Sequence, residues 1–155
     1  DFVVRVFQEL RRRIPNAALL IVGPADYWRS LLDRMRSHGV IWTGPVAPSE
    51  VAAYFNAIDL GILAQEKSLG TELAFQIKIV EYSACRKFVV STPLCTWQRL
   101  QWPNIFLADL KVEAWVDAIC RARDSQWSPA WDALTEPYDW GALARKMAGI
   151  MLGSN

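Results

Sequence analysis

Short apolar runs without polar interruption alternate along this chain with longer segments in which apolar residues recur at helical spacing. The first run, Ala18 to Val22, ends at Gly23-Pro24, and it follows a segment from Phe2 to Ile14 whose apolar residues share one helical face. Strands that are apolar throughout are typical of parallel sheets covered on both faces, because a strand with one wet face alternates apolar and polar residues. Strands that alternate with helices along the chain indicate right-handed βαβ units. The chain is therefore predicted to form an α/β fold with a doubly wound parallel sheet.

The same pattern, followed to the end of the chain, predicts the number of elements. We expect five parallel strands, with helices on both faces of the sheet, at residues 17–22, 40–43, 59–63, 88–91 and 105–108. Helices are expected near residues 2–14, 26–37, 49–57, 72–86, 112–123 and 140–152. Asp26 is the expected cap of the second helix. Residues 125–137 are expected to be irregular.

Composition limits the classes of partner and cofactor. The 155 residues suit one domain, and 17 basic against 16 acidic side chains create no long-range field that would gather nucleic acid. Three cysteines and one histidine show no metal-ligand spacing. No stretch approaches the ~18 apolar residues that a membrane span needs. We therefore expect no nucleic-acid partner, no metal site and no transmembrane segment.

Glycines follow several of the predicted strands. Gly23 and Gly44 each come directly after a strand, and Gly70-Thr71 leads into the predicted helix at 72–86. Ligands of open parallel sheets bind beyond the carboxyl ends of the strands, where glycine lets backbone approach closely and the amides at a helix start can hold phosphate. Glycine after a strand is also ordinary turn chemistry, so these positions are candidates only.

The predicted helix at 72–86 carries two charged residues on one stripe. Lys78 and Glu81 are three residues apart and share this stripe with Cys85, while Phe75 falls on the neighbouring stripe. They could form a solvated ion pair. Alternatively, a carboxylate near the sheet edge could accept two hydrogen bonds from a vicinal diol such as ribose. Spacing alone does not choose between these.

A resemblance favours the second interpretation. The segments that carry it occur in order and at matching spacing, and they are residues 19–23, 40–46, 50–63, 78–92 and 138–140. Together they resemble the C-terminal domain of retaining glycosyltransferases of the GT-B fold, the group 1 family. The resemblance implies a Rossmann-like sheet that binds a nucleoside-diphosphate sugar, without a metal or other cofactor, for transfer of a hexose-type sugar.

The resemblance also implies roles for individual residues. Glu81 would hold the ribose hydroxyls, and Val46 would lie near the base. The donor site would also include Lys78 and the glycine loops at Gly23, Gly44 and Gly70-Thr71. The segment formed by Ala74, Phe75 and Gln76 would face the diphosphate and the sugar. No catalytic side chain and no metal ligand are expected within these 155 residues.

Three positions depart from the family pattern. The family has two glutamates separated by seven residues, and the first falls on Leu73, next to Glu72. Because one residue turns a helical side chain by about 100°, Glu72 is not expected to substitute for it. Gln76 and Arg86 stand where glycine is usual. These departures concern the sugar contacts.

The resemblance further implies a two-domain enzyme. The family's C-terminal domain opens with a central strand and a basic, glycine-containing loop, and both would precede Asp1. Without that strand we expect either a gap or direct pairing of the strands near Ala18 and Leu60; the paired version has the strand order 2-1-3-4-5. The partner would be an N-terminal acceptor-binding domain, and the fragment alone is expected to be inactive. Such an enzyme would be cytoplasmic, with peripheral attachment to the inner membrane face as an option.

Two other functions remain open. A non-catalytic flavodoxin-like binding module would have no use for a ribose acceptor, so its Glu81 would point into bulk solvent. A sugar-nucleotide epimerase is disfavoured because no acid and base are placed for proton transfer at a sugar carbon.

Overall fold

The computed structural model describes residues 2–24, 29–35 and 38–153. Its five strands are β1 (Leu19–Ile21), β2 (Val40–Trp42), β3 (Leu60–Leu63), β4 (Phe88–Ser91) and β5 (Ile105–Leu107). Its α-helices are α1 (Phe2–Arg13), α2 (Arg29–Met35), α3 (Val51–Ala57), α4 (Leu69–Leu73), α5 (Ile77–Ala84), α6 (Cys95–Leu100), α7 (Val112–Asp124) and α8 (Trp140–Met151). No helix in the described part of the chain is long and apolar enough to cross a membrane.

All strand pairs in the described residues are parallel, which confirms the predicted α/β class. The strands form two sheets, β1-β2 and β3-β4-β5. Leu19 is opposite Val40 in the first sheet, and Leu60 is opposite Phe88 in the second. Among the described residues β1 and β3 do not pair, so of the two arrangements considered the structure has the gap and not the continuous order 2-1-3-4-5.

Helix α1 joins the two sheets from one side. Its Val6 belongs to the core beneath β3, β4 and β5, where α7 contributes the fully buried Trp115. The next residue, Phe7, belongs to a separate core beneath β1 and β2, with Leu19 and Val40. Neighbouring residues of a helix point in directions about 100° apart, so one amphipathic helix can serve both cores.

The opposite side is covered only in part. Helices α5 and α6 bury Ile79 and Trp97 against Val89 of the larger sheet. On the smaller sheet, Val40 is 2% exposed but Ile41, on the other face of the same strand, is 53% exposed. Burial on both faces was therefore correctly predicted for β4, whose residues are all buried, and was wrong for β2.

The predicted helix at 72–86 is interrupted. It is replaced by α4 and α5, with Ala74 in an extended conformation at the end of α4. Phe75 leaves the helical path because its ring stacks on Tyr138 at 5.0 Å and lies 5.6 Å from Trp97. The prediction that Phe75 lies on this helix, on the stripe next to that of Lys78 and Glu81, is therefore wrong, whereas Lys78 and Glu81 do share α5.

Two further elements differ from the prediction. Helix α6 was not predicted, and the segment expected to be irregular contains a 3₁₀ helix, Pro129–Tyr138. The 3₁₀ helix is tied to the end of α5 by Arg86, whose guanidinium donates to both carboxylate oxygens of Asp132 at 3.0 and 2.5 Å. The expected cap Asp26 lies outside the described residues.

Candidate functional site

A cleft of about 350 Å³ opens beside the loops that follow β1 and β2. It continues along α3 and the first two turns of α5. Its walls are formed by Leu20, Val22, Gly23, Pro24, Pro45, Val46, Val51, Tyr54, Phe55, Ile58, Lys78 and Tyr82. Three of the predicted site residues, Gly23, Val46 and Lys78, thus line one cavity. A mostly apolar wall that includes the Lys78 cation suits a ligand that has both a flat apolar part and a negative charge.

Gly23 and Gly44 fasten the two loops to each other. The Gly23 N–H donates to the Gly44 carbonyl at 3.0 Å, and the Trp42 indole N–H donates to the Gly23 carbonyl at 2.8 Å. Both glycines have positive φ, 112° and 71°, which side-chain-bearing residues rarely adopt. These glycines therefore fix the backbone at the mouth of the cleft.

Lys78, which lines the cleft, forms an ion pair with Glu81, which is not itself among the lining residues. Lys78 Nζ lies 3.0 Å from Glu81 Oε2, and that oxygen is shielded from solvent. The pair is close without the alignment of a hydrogen bond, since Oε2 has no hydrogen-bond partner among the described residues. The Lys78 and Glu81 side chains are 54% and 37% exposed, so the pair is neither fully solvated nor buried.

Tyr82 forms the inner wall of the cleft next to this pair. Burial raises the pKa of the Tyr82 phenol, and the negative charge of Glu81 raises it further. The ring lies directly over Gly61 of β3, where an added Cβ would be 2.7 Å from its carbons. Tyr82 can therefore occupy this position only because residue 61 has no side chain.

Gly70 and Thr71 belong to α4, Ala74 directly follows it, and none of the three lines the cleft. The Thr71 N–H donates to Ser68 Oγ at 3.2 Å, and the Ser68 N–H donates to Thr71 Oγ1 at 2.8 Å. This reciprocal capping uses the Thr71 amide that was expected to be free for a phosphate. Ala74 ends the helix with its N–H donating to the Gly70 carbonyl at 3.0 Å.

Phe75 and Gln76 lie between α4 and α5. Phe75 is half exposed in the aromatic group with Tyr138 and Trp97. Gln76 precedes α5 without capping it, because its side-chain oxygen accepts a bond from Gln65 Nε2 at 3.3 Å. The first amides of α5 therefore have no side-chain cap from Gln76.

The Glu72 carboxylate is bonded to the protein backbone. It accepts a hydrogen bond from the Cys95 backbone N–H at 2.7 Å, and Glu72 is not among the residues lining the cleft.

The sequence analysis did not predict the aromatic wall formed by Tyr54 and Phe55. Both residues fell within the helix predicted at 49–57, and nothing in the local sequence marked them as cleft residues.

Most of this chain matches a known protein family. Residues 1–125 match the family described as glycosyl transferases group 1. The chain is also similar to TuaH of Bacillus subtilis (strain 168), a protein described as a teichuronic acid biosynthesis glycosyltransferase, with 33% identity over 104 residues. That match covers 66% of this chain and 26% of the relative, so the chain corresponds to only part of its relative's length. By the family match over most of its length, this chain belongs to the group 1 glycosyltransferases.

Proposed function

We propose that this chain is the donor-binding half of a retaining glycosyltransferase and that its cleft receives a nucleoside-diphosphate sugar. The observation that carries the proposal is the pairing of a carboxylate, Glu81, with an ammonium, Lys78, beside a cleft bordered by the Gly23 and Gly44 loops. A nucleoside diphosphate carries a vicinal diol and a negatively charged group, which are the ligands for a carboxylate and an ammonium respectively.

Each part of the donor has a candidate contact. The base would lie near Val46 against the apolar wall, and the ribose hydroxyls would donate to Glu81. The diphosphate would approach Lys78 and the start of α5, whose helix dipole is positive at this end and whose first amides Gln76 does not cap. The Ala74 to Gln76 segment would then face the sugar.

The proposed chemistry is metal-independent transfer of a hexose-type sugar with retention of configuration. The protein's contribution would be to stabilise the charge that develops on the diphosphate leaving group by means of α5 amides and Lys78. The acceptor would come from an N-terminal domain outside these 155 residues. Positioning the acceptor beside the donor requires both halves, so this half alone would transfer no sugar.

The gap between β1 and β3 supports the two-domain proposal. Both strands are parallel to their neighbours, and one edge of each is unpaired among the described residues. One extra parallel strand from the rest of the enzyme would satisfy these backbone groups. We expect the amides of residues 19–21 and 60–63 to be more protected from hydrogen exchange in a two-domain enzyme than in this chain. Equal protection would contradict the added strand.

Titration with UDP, GDP, ADP and CDP, by calorimetry or NMR, tests the donor site. Without a further basic loop we expect at best a Kd in the high micromolar to millimolar range, which is about −4 to −6 kcal/mol of binding free energy. Glu81→Ala should make the binding free energy of the preferred nucleotide less favourable by about 2–4 kcal/mol, because up to two charge-assisted hydrogen bonds are lost.

Glu72→Ala is the matched control, since it removes a carboxylate that is bonded to the Cys95 backbone N–H, whereas Glu81 is paired with the cleft residue Lys78. We expect it to leave nucleotide affinity nearly unchanged. If Glu81→Ala binds as well as the parent, or Glu72→Ala is the more damaging change, the ribose assignment is wrong and a flavodoxin-like interaction module becomes the better hypothesis.

A further inference from the structure

The Phe55 ring on α3 contacts both cleft residues of α5 that flank the candidate ribose acceptor. Its centroid lies 4.9 Å from that of Tyr82 at an interplanar angle of 84°, and Lys78 Nζ lies 5.4 Å from the Phe55 centroid. All three side chains line the cleft. Phe55 therefore contacts both the Tyr82 ring in the cleft wall and the Lys78 ammonium.

The position of the Phe55 ring is determined by the packing beneath it. Tyr82 lies over Gly61 with no room for an added Cβ, so its ring can shift little in that direction. An edge-to-face contact then orients Phe55 on Tyr82. Lys78, by contrast, has a long flexible side chain that is 54% exposed. Without the ring, its ammonium would sample many positions in solvent.

We propose that Phe55 is a positioning residue: its ring holds the Lys78 ammonium against Glu81 Oε2, so that the carboxylate is orientated before a nucleotide binds. A cation over an aromatic face is attracted by the ring quadrupole. The ammonium in turn lies 3.0 Å from Oε2, which is shielded from solvent although the Glu81 side chain is 37% exposed. With Oε2 held by the ammonium, the other carboxylate oxygen would remain to accept from the ligand. This inference rests on the proposed role of Glu81.

The first test needs no ligand. Protons held over an aromatic face are shifted upfield, so the Lys78 ε-methylene NMR signals should be upfield in the parent and return to ordinary values in Phe55→Leu. Phe55→Trp keeps an aromatic face and should restore the upfield position. Ordinary Lys78 shifts in the folded parent would overturn the proposal, whatever the outcome of nucleotide titrations.

The second test uses the preferred nucleoside diphosphate from the titration series. Phe55→Leu should weaken its binding about two- to five-fold, and Phe55→Trp should restore it. In a Lys78→Met background, Phe55→Leu should have no further effect, because the ring would act through Lys78. Thermal unfolding of each variant identifies loss of fold as the cause of any change.

The outcomes separate the two proposals. If Glu81→Ala weakens binding but Phe55→Leu does not, Glu81 stays as the ribose acceptor and the positioning role is overturned. If Phe55→Leu is equally damaging with and without Lys78, the ring contacts the ligand directly and the positioning role is again overturned. If Glu81→Ala has no effect, the proposed function fails, and the positioning role fails with it.

Discussion

Oε2 of Glu72 accepts a hydrogen bond of 2.7 Å from the backbone N–H of Cys95, the first residue of α6. The bond links the segment after β3 to the segment after β4. The pKa of the Glu72 carboxyl is lowered below its ordinary value of 4.5, first by hydrogen bonding from the Cys95 thiol and then by the bond from the Cys95 backbone N–H. A carboxylate at a helix start satisfies an amide that the helix itself leaves unpaired and is favoured by the helix dipole.

Hydrogen bonding from Cys95 to Glu72 predicts a pH dependence of stability. Because the pKa of Glu72 is lower in the folded than in the unfolded protein, its stabilising contribution is complete above 4.5 and is lost as the pH falls through the folded pKa. Glu72→Gln should therefore unfold with a shallower decrease in Tm between about pH 5 and about pH 3, near the ordinary carboxyl range. Circular dichroism measures this, with Glu66→Gln, an exposed carboxylate of the loop before α4, as control. Identical curves for Glu72→Gln and the parent would contradict the bond.

Gly61→Ala should destabilise the protein. The new Cβ would lie 2.7 Å from the Tyr82 ring, so the ring or the β3 backbone must shift, at a cost of about 1–3 kcal/mol. Gly70→Ala is the matched control: the nearest atom to its added Cβ is 3.8 Å away, and alanine favours the helical conformation. Urea unfolding should show a lower midpoint for Gly61→Ala only. Equal midpoints would mean that Tyr82 does not pack on Gly61.

Arg86 combines a strained backbone with a favourable ion pair. Its φ is 56°, in the left-handed region, and its guanidinium pairs with Asp132. Arg86→Ala would keep the strained conformation and lose the pair, whereas Arg86→Gly would lose the pair and remove the strain. We therefore expect the glycine variant to be more stable than the alanine variant by about 1–2 kcal/mol in urea unfolding. A glycine variant no more stable than alanine would show that residue 86 is not left-handed.

Sequence patterns predicted the strands well because the signals are local. The strand predicted at 88–91 is β4, Phe88–Ser91, and the helix predicted at 112–123 is α7, Val112–Asp124. The break at residues 74–76 was not predictable in this way. It depends on Phe75 stacking against Tyr138, which is far along the chain and whose position depends on the whole fold.

In the candidate site, too, some features follow from local sequence and others depend on the whole fold. Gly23 and Gly44 follow strands, and Lys78 and Glu81 follow helical spacing, so their neighbourhoods could be predicted from local sequence. The position of Phe55 over Lys78 could not, because it requires α3 and α5 to pack side by side. The bond from Cys95 to Glu72 likewise joins two loops whose approach no local pattern encodes.

The difference between the two faces of β2 gives a final prediction. Val40 and Ile41 are consecutive in one strand and point to opposite faces, and they are 2% and 53% exposed. Val40→Thr would place a hydroxyl without a prepared partner in the core with Phe7 and Leu19, at a cost of about 1–3 kcal/mol. Ile41→Thr, on the uncovered face, should change the free energy of unfolding by about 0.5 kcal/mol or less.

Urea unfolding of both β2 variants, followed by tryptophan fluorescence, measures this difference directly. Because the two positions share one strand and the same parallel neighbour, β-propensity and strand pairing affect both alike, and only the cover on each face differs. A large loss for Ile41→Thr would mean that this face is covered in solution, either by α3 closing over the cleft or by a second copy of the chain. The two causes would be separated by dilution, because only self-association makes the Ile41→Thr effect depend on protein concentration.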